Sequence, residues 1–141
     1  MKKYLTLAFI LSISFLSAQT DWKEVISNDN VRVFVGHLGQ QSFNDCQKVN
    51  ETEYHLLSLA IKYDADVIFN HIIKSGDIDF SQICQDKTIL MYAVKYGNLD
   101  IVKKLIEAGA DPTQASASGK TLKDYAMKYK KKEIYDYFSV K

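Results

Sequence analysis

Three sets of residues in this 141-residue chain could do chemistry, and each would do a different kind. His37, His55 and His71, with Cys46 and Cys84, could bind a metal, and the histidines could carry protons. The close pairs Asp64 with Asp66 and Asp77 with Asp79 could hold calcium or divide acid–base work. The third set is a recurring Lys-Tyr dipeptide, at Lys62 and Tyr63, Lys95 and Tyr96, and Lys128 and Tyr129.

The first two sets do not complete a site. No two histidines have metal-ligand spacing, and neither cysteine belongs to a CxxC. His37 falls on an apolar helix position and is expected in the core, whereas His71 is expected to face solvent. The aspartates fall in turns, where Asp satisfies local backbone groups. The motifs GxSxG and HExxH and the glycine-rich phosphate loop are absent. No catalytic residue, metal ligand or cofactor is expected, and the chain is not read as an enzyme.

The Lys-Tyr set is different because it is periodic. AIKY at 60–63, AVKY at 93–96 and AMKY at 126–129 each begin 33 residues after the last. A column of tyrosines beside a column of lysines suits a partner that carries acidic and apolar groups. Two other readings stand beside this one. The tyrosines could pack along a neighbouring helix with the lysines solvated, or duplication of a unit could have copied the pair.

The elements that carry these pairs share the period. Thr88 and Thr121, Gly76 and Gly109, and Ile68, Ile101 and Ile134 are all 33 apart, as are Phe69, Val102 and Tyr135. Apolar residues recur at helical spacing, with Ile68, Phe69, Ile72 and Ile73 answered by Ile101, Val102, Leu105 and Ile106. Thr88 and Thr121 stand where a hydroxyl caps a helix, Gly97 supplies a turn by taking a left-handed conformation, and Gly109 with Pro112 ends the second helix. Each unit is therefore expected to be a helix–turn–helix with alanine at the close approach of its two helices.

The stretch KTILMYAVKYGNLDIVKKLIEAGADP resembles an ankyrin repeat, a unit of this period whose first helix opens T-P-L-H-x-A. Thr88, Leu90, Ala93, Gly97, Val102, Leu105, Ile106, Gly109, Ala110 and Asp111 fall on typical positions. Ile89 replaces the usual proline and Met91 the usual histidine. GKTLKDYAMKYKKKEIYDYF is similar, and residues 54–79 are more divergent, with His55 in place of the capping threonine. VISNDNVRVFVGHLG looks like a degenerate first unit, joined to Tyr54 by a linker longer than usual. The resemblance implies an all-α solenoid whose units span about 21–53, 54–86, 87–119 and 120–141, with no unit able to bury its own apolar faces.

It also implies a binding surface. In such proteins the residues at the Lys-Tyr positions point into the concave face, next to the tips of the inter-repeat loops. Here those are Lys62, Tyr63, Lys95, Tyr96, Lys128 and Tyr129, with Tyr54, Gln85, Lys87 and Lys120 among the tip residues. Lys130, Lys131 and Lys132 fill the last turn, facing acidic groups or simply solvent.

The start of the chain belongs to none of these units. Lys2 and Lys3 precede an uncharged run from Leu5 to Leu16, then Ser17 and Ala18. This is the order of a secretory signal peptide, taken as residues 1–19, and the run is short of the ~20 apolar residues that span a bilayer. The alternative is an uncleaved anchor. Without Lys2 and Lys3 the 18 basic residues fall to 16 against 17 acidic ones, so no nucleic-acid partner is expected. In a periplasmic or secreted setting Cys46 and Cys84 would form a disulfide closing a loop of roughly 38 residues, worth ~2–4 kcal/mol; two buried thiols are the alternative. The resemblance places both cysteines in successive inter-repeat loops. The expectation is a monomeric, exported module of residues 20–141 that holds a protein partner, as an inhibitor or immunity-like protein, or else as an envelope factor protecting another enzyme. Membrane insertion is not expected once the segment is removed.

Overall fold

The computed structural model describes residues 19–140; the expected signal segment, apart from Gln19, lies outside them. Eight helices follow one another as four antiparallel pairs. They are α1 (Trp22–Ser27), α2 (Val31–Leu38), α3 (Leu56–Lys62), α4 (Asp66–Ser75), α5 (Ile89–Tyr96), α6 (Leu99–Glu107), α7 (Leu122–Lys128) and α8 (Lys132–Ser139). The long linker after α2 folds as a hairpin of β1 (Gln47–Val49) and β2 (Thr52–Tyr54), antiparallel with Lys48 opposite Glu53. Asn50 turns it at φ 56°, a conformation Asn tolerates better than most residues. An all-α solenoid is therefore what the chain forms, with this hairpin as a local addition.

The first helix of each pair stacks on the first helix of the next, making an inner row α1–α3–α5–α7. Leu56, Leu57, Leu59, Ala60, Leu90, Met91, Ala93, Val94 and Ala126 are buried in that row. The outer row buries a narrower stripe, Ile68 and Ile72 on α4, Val102 and Leu105 on α6, and Ile134 on α8. Inner helices pack more closely on one another than outer ones do, so the stack curves with the inner row on its concave side.

Local signals begin the helices. Thr88 accepts from Met91 N–H at 3.3 Å, Asn98 from Ile101 N–H at 3.0 Å, and Thr121 forms a capping box with Asp124. Ties one period long then fix the stacking. Both carboxylate oxygens of Asp29 accept from α4, from Val67 N–H at 3.0 Å and Ile68 N–H at 2.8 Å. Asn44 donates to Asp77 O at 2.9 Å, and Asp86 accepts from Ser118 N–H at 2.6 Å. Cys46 and Cys84 form a disulfide with Cα atoms 5.7 Å apart, joining the loop before β1 to the next inter-repeat loop.

Three expectations are corrected. Gly97 is not left-handed, since its φ is −92°. It is required by space, because a Cβ there would stand 2.8 Å from the Ala93 carbonyl oxygen and 3.3 Å from Ile61 Cγ2. Gly109 does take positive φ, 118°, one residue past the Ala108 cap. His37 is exposed rather than in the core, because α2 buries the stripe Phe34 and Leu38 and His37 lies beside it, donating to Val33 O at 2.9 Å. His71 is half-buried rather than facing solvent, because Phe43 from the long linker folds over it, with ring centroids 6.3 Å apart.

His55, standing where α5 and α7 have threonine, does not cap α3. Its ring is buried instead, with Nε2 donating to Gln82 O at 2.8 Å and Nδ1 accepting from Ser58 Oγ at 3.0 Å. Burial lowers its pKa to about 4, against the opposing effects of the Gln82 carbonyl and Asp79.

Two outcomes follow from this packing. Gly97→Ala drives a methyl group against the Ala93 carbonyl at the end of α5 and against the Ile61 side chain of α3, and urea unfolding should show a loss of ~1–3 kcal/mol. His55 is neutral when folded, and the unfolded chain binds the extra proton below pH ~6.5, so stability is full above that pH and falls toward pH 4. Unfolding at pH 7 and 4.5 should differ by about 2–3 kcal/mol more in the native chain than in His55→Gln.

Candidate partner-binding surface

The Lys-Tyr pairs close the inner helices. Lys62 is the last residue of α3, Lys95 and Tyr96 end α5, and Lys128 ends α7, with Tyr63 and Tyr129 as the C-cap residues. A cation at a helix C-terminus meets the negative end of the helix dipole, so each lysine suits its place locally. The period repeats this placement three times on the same side of the stack.

The columns interleave instead of running separately. Lys62 Nζ lies 5.5 Å from the ring centroid of its neighbour Tyr63 and 5.2 Å from that of Tyr96, one unit on. Lys95 repeats this, 4.8 Å from Tyr96 and 5.3 Å from Tyr129. Lys128 lies 5.5 Å from Tyr129. Lys62 and Lys95 thus each sit against the negative ring faces of two successive units, an attraction of ~0.5–2 kcal/mol depending on solvation, whereas Lys128 meets only the ring of its own unit.

Tyr54 and Lys87 join this lattice from the tips. Lys62 donates to the Tyr54 hydroxyl at 2.7 Å and lies 4.5 Å from its ring centroid. Although burial opposes ionisation of Tyr54, bonding to Lys62 and Tyr96 leaves its pKa below the ordinary tyrosine value. Burial also works against the Lys62 charge, but the Tyr54 hydroxyl and the nearby phenols outweigh it and raise the lysine pKa. Burial pushes Tyr96 up to about 12, with the adjoining Tyr54 adding to the effect. Lys87 lies 5.6 Å from both Tyr92 and Tyr125, and its pKa is lowered by burial and by the like charge of Lys95.

The other two tip residues stand apart. Gln85 is exposed at φ 43°, and its Oε1 accepts from Glu53 N–H at 2.6 Å, so it ties two hairpins together. Lys120 is exposed on the next tip, its backbone N–H held by Ser116 Oγ at 3.1 Å. In the last turn, Lys131 donates to Gly97 O at 3.2 Å and Lys132 pairs with Asp136, so two of those three lysines already have partners.

Tyr92 and Tyr125 belong to the lattice and were not anticipated. They lie one helical turn before Tyr96 and Tyr129, with rings stacked on them at 6.4 Å and 6.1 Å. The signal was present, since Tyr92 and Tyr125 are themselves 33 residues apart and share a helix face with the pairs that follow them. Both are buried, yet their hydroxyls reach the tips. Tyr92 donates to Glu53 O at 2.8 Å and Tyr125 to Asp86 Oδ2 at 3.1 Å. Tyr92→Phe should cost ~1–2 kcal/mol in urea unfolding, by leaving the Glu53 carbonyl short of a donor.

Among the described residues no cluster of three or more His, Cys, Asp or Glu side chains could hold a metal ion, and no helix is long and apolar enough to cross a membrane.

No curated protein matches the chain. The family model for ankyrin repeats, in three copies, matches residues 25–139. Such repeats are protein-interaction modules, in keeping with a curved stack that offers one continuous inner face and no catalytic constellation among the residues described. By that match, and by the helix pairs stacked at one period, the chain belongs to the ankyrin repeat family.

Proposed function

We propose that the protein is a non-catalytic module of the cell envelope or secreted space that holds a protein partner on its concave inner face. The observation that carries this reading is the interleaved surface of Tyr54, Lys62, Tyr63, Lys87, Lys95, Tyr96, Lys128 and Tyr129. Tyrosines anchored by stacking lose little conformational freedom on binding, and a preorganised surface avoids that cost of association. The charge–apolar–small order of residues 1–19 supports export. The Cys46–Cys84 bridge supports an oxidising destination, since cytosolic thiols are kept reduced. In this reading the protein acts by occupying its partner's surface, as an inhibitor or immunity-like protein would.

The test is site-directed photo-crosslinking in the native host. A photoreactive residue placed at Lys120, beside the inner face, should trap one protein partner. The same residue at Lys104, exposed on outer helix α6, should trap none. Crosslinks from Lys104 alone would move the site to the convex side and refute the reading.

A further inference from the structure

Lys62, Lys87, Lys95 and Lys128 line the inner face, and only Lys87 feels the charge of a nearby carboxylate, that of Asp86. Among the described residues the ion pairs are Lys48 with Glu51 and Lys132 with Asp136, and neither involves these four. Asp86 accepts hydrogen bonds from Ser118 and Tyr125 and forms no ion pair with a lysine, so its single charge only partly offsets the four ammonium groups. Lys62 spends one N–H on Tyr54 and keeps donors to spare.

The four cations are also held in place. Lys62 and Lys95 both lie over Tyr96, and Lys87 bridges Tyr92 and Tyr125. Lys62 and Lys95 are therefore no more than about 10 Å apart, a gap that an extended chain covers in about three residues. Burial and the like charges of Lys95 and Lys128 work against the Lys87 charge, with Asp86 opposing them in part, and an arriving anion would relieve the remaining repulsion.

We infer that the inner face recognises an extended acidic segment of a protein, whose carboxylates seat between the lysines of successive units while its backbone or apolar groups lie along the tyrosines. This inference rests on the inner-face reading above and names the chemistry of the partner. A protein segment fits better than the other polyanions. Ammonium groups cover tyrosine faces on which nucleic-acid bases would otherwise stack. The lysines lie on the concave side of the stack, where a flat anionic membrane surface makes poor contact.

Fluorescence anisotropy with a labelled peptide of about twelve alternating Glu and Gly residues tests the inference at low salt. The Glu peptide should bind, a Gln–Gly peptide of equal length should not, and salt should weaken the complex. Lys62→Gln with Lys95→Gln should weaken binding about tenfold or more, whereas Lys62→Arg with Lys95→Arg keeps the charge and should stay within about threefold. Circular dichroism melts confirm that both variants fold. Absence of Glu-peptide binding, or equal binding by the Gln double variant, overturns the inference. So does a single-stranded oligonucleotide or an anionic phosphatidylglycerol vesicle that binds more tightly than the peptide and is lost with the same variant. If the partner trapped through Lys120 is trapped equally well by the Gln double variant, acid recognition falls while the inner-face reading stands. If trapping occurs only from Lys104, both fall.

Discussion

The close approach of the inner helices is the constraint on which the rest of this molecule depends. Ala60, Ala93 and Ala126 sit at the same place in successive units, and all three are buried. At that place the second helix of a unit folds back against the first, and a larger side chain would push the two apart. Gly97 extends the requirement into a turn, where even a methyl group would strike the Ala93 carbonyl. Because the inner helices pack more closely on one another than the outer ones do, the stack bends. The concave face therefore follows from a packing difference that recurs with every unit.

Such a stack has to satisfy its loops as well as its helices. Hydrogen bonds from one unit to the next do this, with Asp29, Asn44, Glu53 and Asp86 each reaching the neighbouring unit. No buried side-chain nitrogen or oxygen among the described residues is left without a partner. The disulfide acts where the degenerate first unit and its hairpin join the more regular part. His55 belongs to the same region, and it exchanges a surface cap for a buried bridge between Ser58 and the Gln82 carbonyl.

Packing and recognition are not alternatives at the Lys-Tyr pairs. A tyrosine ring clasped by lysines from its own unit and the one before stiffens the inner row, which serves the fold. In the proposed function the same lysines keep donors for a partner, which would serve binding. Reading the tyrosines as neighbour-packed and the lysines as free therefore describes half of the arrangement, since each ammonium is held by the ring that packs beside it.

Much of this was written in the chain itself. The period, the capping threonines, the helix pairs and the alanines are local or translational features, so a single unit and its copies reveal them. The degenerate first unit was legible for the same reason, through Val25, Phe34 and Leu38. What the chain could not reveal is what one unit presents to the next. Gly97 reads as a conformational switch until Ile61, from another unit, occupies the space beside it. His37 and His71 exchange their expected surroundings because a short helix leaves its buried stripe ambiguous and because a long linker covers one of them. Tyr92 and Tyr125 drew no expectation from the sequence, and only the fold shows that their hydroxyls reach the tips. The 33-residue interval sets which residues repeat, whereas the side-by-side register of folded units decides which lysine lies over which ring, because that distance runs through space and not along the chain.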